Sequence, residues 1–187
     1  MGKTMTRAEL EQKVRDDVNL SGANLGGADL SAADLRGAYL RGAYLRAADL
    51  HAADLRDADL SGAYLDPHAI AARQIVPLVG AFEAWKKVKG AGDAEYVLRL
   101  AVPDDAGRVG GLTGRKCRVS RAKVIAAYAV GTDGETTGAE FFSLYSPAFK
   151  YTVGETVTPD TFDSDPRTVC AQGIHCYITR EDAEAHL

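Results

Sequence analysis

The sequence predicts a two-part protein, a solenoid of five-residue repeats followed by a small α+β or mostly-β domain. Three observations carry this expectation. Leu recurs every five residues from Leu20 to Leu65. The pattern ends at Pro67. Beyond "GAGD", residues 90–93, short Val-, Tyr- and Phe-rich runs alternate with Gly, Pro and Asp turns.

The period itself excludes the two ordinary elements. A stretch such as "RGAYLRGAYLRAADLHAADL" (residues 36–55) is rich in good helix formers. At about 100° per residue, however, a five-residue step turns roughly 500°, so each Leu would land about 140° from the last. No apolar stripe forms on a helix. A flat strand fails as well, because an odd period sends successive Leu to opposite sides. A fixed period in which one unit cannot bury its own face requires stacking of units.

Written in fives, residues 18–67 read VNLSG, ANLGG, ADLSA, ADLRG, AYLRG, AYLRA, ADLHA, ADLRD, ADLSG and AYLDP. These ten units resemble the pentapeptide-repeat family, whose signature is A(D/N)LXX. The resemblance implies a right-handed quadrilateral β-helix with four units per coil, about 2.5 coils in all. It implies a core of Leu20, Leu25, Leu30, Leu35, Leu40, Leu45, Leu50, Leu55, Leu60 and Leu65, with the preceding Ala at the corners. Residue n then stacks on n+20, which sets Asp29 on Asp49, Asp34 on Asp54, Arg36 on Arg56 and Tyr44 on Tyr64. The tyrosine pair is a candidate surface contact, against the simpler reading that stacked aromatics stabilise neighbouring coils. Some members of the family mimic duplex DNA. Here about 2.5 coils at roughly 4.8 Å each give a rod about 12 Å tall. Duplex DNA rises about 34 Å per turn. Seven Asp against four Arg in the segment is also a weak charge excess, and DNA mimicry is not favoured.

Before the repeats, "TRAELEQKVRDDV" fits a capping helix within residues 1–17, with Thr6 and Glu9 as a capping box and Leu10 and Val14 on one face. After them, residues 68–91 read as a helical cap or linker in two pieces divided at Pro77. Ile70, Ile75, Val79, Phe82 and Trp85 are candidates for a face packed on the far end of the solenoid or on a second copy in a homodimer. The C-terminal domain, residues 92–187, holds the strand-like runs "EYVLRLAV", "KVIAAYAV", "AEFFSLY", "KYTVGETV" and "GIHCYIT", then a helix started by Thr179. The segments "LRLAVPDDAGR", "GRKCRVSRAKV" and "YTVGETVTPDTFDSDPRTVCAQGIHCYITREDAE" together resemble an uncharacterised domain that follows pentapeptide repeats in bacterial and bacteriophage proteins. The resemblance names no activity, and it departs at Cys176 and Tyr177, where the family pattern has two aromatics.

Composition narrows the functional classes. The net charge of −4 implies neither a nucleic-acid nor a membrane partner. No apolar run approaches the roughly 18 residues of a transmembrane helix, and the N-terminus lacks a signal-peptide core. Three cysteines without a secretory signal suggest free thiols in a reducing cytoplasm.

Two clusters in the C-terminal part carry chemistry. Cys117, Cys170 and His175, with Asp163 or water, would make a zinc site, although C-x4-H matches no standard zinc spacing. Alternatively Cys170 and His175 would act as nucleophile and base, with Cys117 the better nucleophile because Lys116, Arg118 and Arg121 flank it. The simpler reading is structural cysteines and a histidine that fastens a turn. The second cluster is the stretch 106–123, with Arg108, Arg115, Lys116, Arg118, Arg121 and Lys123, four glycines and no acidic residue. Such a segment would cradle a phosphate or nucleic acid, against a solvated hairpin loop. "PDTFDSDP" lacks the Gly and Glu of a calcium loop and reads as Asx turns. No complete catalytic constellation emerges, and no cofactor besides zinc is suggested. The favoured reading is a non-enzymatic interaction scaffold that displays or dimerises a small domain. Nucleic-acid or phosphate binding, and an enzyme or metal site, stand as alternatives.

Overall fold

Thr6 starts the first element, and the computed structural model describes the chain from there over residues 6–16, 19–72, 75–77, 79–137, 140–168 and 171–186. The chain divides into two units. The first is Met1–Gln74 with Gly111–Gly114 and Asp165–Cys170, and the second is Ile75–Gly110, Arg115–Ser164 and Ala171–Leu187.

In the first unit, helix α1 (Arg7–Arg15) carries a complete capping box. The Thr6 hydroxyl accepts from the Glu9 backbone N–H at 3.3 Å, and the Glu9 carboxylate accepts from the Thr6 N–H at 2.8 Å. Leu10 is fully buried against the repeats, and Val14 packs beside it. The Glu11 carboxylate accepts from the Asp34 N–H, and Arg7 donates to the Ala32 carbonyl. The N-terminal helix is thus tied to the repeats by core and backbone contacts.

The repeat units pair in parallel at a spacing of twenty residues, as in Asn24 with Tyr44, Asp29 with Asp49, Asp34 with Asp54, Tyr39 with Asp59 and Tyr44 with Tyr64. The Leu25 N–H donates to the Tyr44 carbonyl at 2.8 Å, and the Tyr44 N–H donates to the Ala23 carbonyl at 2.9 Å. Every central leucine from Leu20 to Leu60 is buried, whereas Leu65 is only partly so. The last residue of a unit turns the chain in the left-handed region, as at Gly37 (φ 67°) and Gly42 (φ 66°). This explains why small residues close the units, since that region is open to glycine and costs an L-residue roughly 1–2 kcal/mol. Asn or Asp at the second position fastens the same turn. Asn19, Asn24, Asp29, Asp34, Asp49, Asp54 and Asp59 each accept, through Oδ1, the backbone N–H two residues on at 2.8 to 3.3 Å.

The far end of the repeats differs from expectation. Helix α2 (Pro67–Ala72) is one short piece, with Ile70 packed on the repeat core. Two segments from much later in the chain complete this unit. Leu112 is buried in the leucine core, and the Thr113 carbonyl accepts from the Asp57 N–H at 3.2 Å. Arg167 donates to the Ala63 carbonyl at 2.8 Å while it pairs with Asp165.

The second unit is built on one sheet. Its strands are β1 (Phe82–Lys89), β2 (Glu95–Val102), β3 (Arg108–Gly110), β4 (Lys116–Val119), β5 (Ala122–Ala129), β6 (Glu140–Ser143), β7 (Lys150–Thr152), β8 (Thr156–Val157) and β9 (Ile174–Tyr177). Among the described residues they follow the order β3-β4-β9-β1-β2-β5-β8, and β6 pairs with β1 and β7. Helix α3 (Arg180–Glu184) starts at Thr179, whose hydroxyl accepts from the Asp182 N–H. One sheet face holds the larger core, including Ala84, Val88, Leu98, Leu100, Cys117, Val119, Phe141, Tyr151, Ile174 and Cys176. The opposite face holds Val97, Ala126, Tyr128, Tyr177 and the Ala183 of α3.

The helical reading of residues 68–91 is corrected here. Phe82–Lys89 is a strand at the centre of the sheet, and "GAGD" is a turn joining β1 to β2. Phe82, Ala84, Lys86 and Val88 alternate with Glu83, Trp85, Lys87 and Lys89, a pattern that suits a strand buried on both faces. Three lysines, an alanine and a glutamate gave the segment helical propensity that the pairing partners override. Trp85 therefore lies on this strand and not on a helical face. It is partly buried in the second core, 5.9 Å from Tyr128, with the Arg180 guanidinium over both rings. Ile75 and Val79 are exposed rather than packed on a helical face.

Candidate functional site

Within the basic stretch 106–123, Arg108–Gly110 and Lys116–Val119 pair as the β3–β4 hairpin, and residues 111–115 connect them. The cations of this stretch are largely engaged within their own unit. Arg108 donates to the carbonyls of Pro77, Gly80, Pro103, Asp104 and Ala106, and its guanidinium stacks over Phe82. Arg115 pairs with Asp182 at 2.6 Å, Arg121 pairs with Asp105, and Lys116 lies over the Tyr145 ring. Arg118 is 3 % exposed and donates to the Asp163 carbonyl, so the expectation that it meets phosphate is corrected. Lys123 is exposed. Strand alternation separates what looked contiguous, because β4 sends Arg118 to one face and Cys117 to the other.

The same alternation separates Cys117 from His175. Strand β4 runs antiparallel to β9, with Cys117 opposite Cys176 and Arg118 opposite His175. The imidazole is on the face away from the thiols, and its Nε2 is 2.7 Å from the Ala171 carbonyl oxygen. Among the described residues no group of three His, Cys, Asp or Glu side chains is placed to hold a metal ion. Cys170, the third member of the expected cluster, lies outside the described residues. The expectation that basic neighbours make Cys117 the better nucleophile is also corrected. It is 1 % exposed, and a hydrogen bond with Cys176 together with burial pushes its thiol well above the usual range. Cys176 is buried among apolar neighbours, as alternation within "GIHCYIT" implies.

What the sheet does assemble is one transverse row on the inner face: Cys117, Cys176, Lys86, Leu98 and Ala127, on β4, β9, β1, β2 and β5. Lys86 falls opposite Cys176 because Trp85 is paired with Tyr177 one step along. Its amine donates to the His175 carbonyl at 3.1 Å and lies 5.6 Å from the Tyr151 ring centroid. Burial lowers the Lys86 amine from 10.5 to about 8, since the charged form has lost its water. Burial also raises the Tyr151 phenol. Sequence reasoning missed Lys86 by placing it on a helix. The signal was present in the alternation of FEAWKKVK, which sets one lysine among core positions.

His175 gives a pH test of this arrangement. Burial holds its ring down to about 4, against 6.5 when free, and the hydrogen bond to Ala171 and nearby cations modify that value. Between those two values the unfolded chain binds the proton and the folded chain does not. Stability from this group is thus fully present above 6.5, is lost as pH falls towards 4, and levels off below it. The expected loss is roughly 2–3 kcal/mol. His186, also lowered by burial, acts in the same direction. Urea melts at pH 7 and pH 4.5 should show this fall, and His175→Gln should remove most of it. Equal slopes in variant and parent would mean that the ring is hydrated.

The Tyr44 and Tyr64 rings of the repeats stack at 4.5 Å between centroids with an interplanar angle of 16°. Tyr39, one unit before Tyr44, is exposed to the same degree, about half in each case.

No curated protein and no solved structure matches the chain. Pentapeptide repeats are matched in eight copies across residues 16–51 and 33–66. The family of unknown function DUF5758 is matched over residues 72–183, more than half of the chain, and its start at residue 72 falls close to the division between the two units. The chain belongs to this family, with pentapeptide repeats preceding the domain.

Proposed function

We propose that residues 18–67 form a right-handed quadrilateral β-helix that serves as a protein-interaction scaffold, with Tyr39, Tyr44 and Tyr64 as its contact surface. The twenty-residue pairing and the buried leucines support the helix. One observation carries the surface. In the seven units with Asn or Asp at the second position, that side chain fastens the unit's own turn. At residues 39, 44 and 64 a tyrosine stands there, without a carboxylate or amide to make that bond, and each ring is about half exposed. Tyrosine offers a large, stiff, amphipathic contact at low entropic cost, and it is enriched at the centres of protein interfaces. Repeat scaffolds commonly recognise partners through such a surface. The second unit is then carried by the scaffold.

A peptide-display selection on the whole protein tests this reading. Selected peptides should bind the parent and lose at least about tenfold in affinity on the variant Tyr39→Asn, Tyr44→Asn, Tyr64→Asn. Asn restores the turn-fastening side chain, so the variant should keep or gain stability. Undiminished binding by the variant, with peptides mapping to the second unit, would defeat the proposal.

A further inference from the structure

The scaffold reading makes no use of the inner-face row. That row sets two free, buried thiols side by side with a buried amine next in line. We propose that Cys117 and Cys176 are a reversible dithiol–disulfide couple, oxidised by hydrogen peroxide, with Lys86 as its positioning residue.

The register meets the geometric demand. Residues directly opposite on antiparallel strands have Cα atoms about 4.5 or 5.5 Å apart. Both separations lie inside the roughly 4.4–6.8 Å that a disulfide spans, and the two side chains leave the sheet on one face. The backbone separation is therefore compatible with a bond between the two sulfurs. Burial selects the oxidant. A bulky disulfide has no way to reach thiols that are 1 % and 0 % exposed, whereas hydrogen peroxide is little larger than water. Beyond β4 the sheet ends in β3, only three residues long, so few backbone bonds hold the edge nearest to the couple.

Lys86 decides which sulfur attacks. Its position on β1 is directly opposite Cys176 on β9, whereas Cys117 lies one strand further away on β4. Cys176 gives up its proton as its sulfur attacks one peroxide oxygen and the O–O bond breaks. A sulfenic acid forms, and the departing hydroxide takes up the proton that Cys176 released, giving water. The sulfur of Cys117 then attacks the sulfenic sulfur, the S–O bond breaks and the S–S bond forms. The second hydroxide leaves with the Cys117 proton as water. Two electrons pass from the thiol pair to the peroxide.

Treating the native full chain with hydrogen peroxide, followed by intact mass and peptide mapping, tests the couple. The expected result is a loss of about 2 Da, a Cys117–Cys176 linked peptide, and full reversal by dithiothreitol. Cys170→Ser should keep the link, and Lys86→Met should form it about tenfold more slowly. A link through Cys170, peracid products at Cys117 and Cys176 without a link, or two thiols that stay reduced would each overturn the couple. A parental rate in Lys86→Met would overturn the role of the amine. The mapping of the parent protein needs no variant, so a substitution that fails to fold leaves the test intact. Tyrosine variants of the repeats should not alter it.

Discussion

Leu45→Asp should unfold the repeats, while Arg46→Asp, one residue later, should be tolerated. Leu45 is 1 % exposed within the buried leucine cluster of the repeats. A carboxylate placed there finds no polar partner in the leucine core, and the expected loss is about 4 kcal/mol or more. The cost spreads, because each repeat unit is stabilised chiefly by the units it pairs with twenty residues away. Arg46 is mostly solvated and pairs with Asp66 at 3.4 Å. Replacing it with Asp breaks an exposed pair and sets two carboxylates near each other, at an expected cost below about 1 kcal/mol. Hydrogen exchange read across residues 20–65 should show protection lost in the first variant and kept in the second. Equal damage would mean that the five-residue register is wrong.

The second large effect is expected far from the repeats in sequence. Leu112→Ala should destabilise the repeat unit by about 2–4 kcal/mol, the range for a large-to-small change in a well-packed core. Leu112 is 5 % exposed and belongs to the leucine cluster, in a segment whose Thr113 carbonyl accepts from Asp57. Loosening this segment would expose apolar surface of the last repeat units and free the Asp57 backbone N–H. Exchange should rise first in residues 50–66. A change confined to residues 75–110 would show that Leu112 supports the second unit instead.

Much of this protein is written in its sequence. The leucine period implies stacking because no helix or strand accommodates a step of five. The capping box at Thr6 and Glu9 is a local bond between residues three apart, and so is the start of α3 at Thr179. The strand 95–102 carries its alternation openly, and its bounds match the observed β2. The inward direction of Cys176 follows from period two alone.

What failed to show in the sequence depends on partners distant along the chain. FEAWKKVK has helical propensity, and only its pairing with β2, β6 and β9 makes it a strand. The cations from Arg108 to Lys123 look like one solvated strip. Their order in the chain says nothing of β4 being sandwiched between β3 and β9, which buries Arg118 and turns Cys117 inward. Cys117 and His175 likewise share a cluster on paper and opposite faces in the fold. The sequence by itself determined the repeat, its register and the local caps, because each rests on bonds within a few residues or on a strict period. Only the tertiary structure decided which thiol meets which, where Lys86 sits, and that Leu112 joins the leucine core, because those contacts join residues tens of positions apart, whose pairing no local pattern encodes.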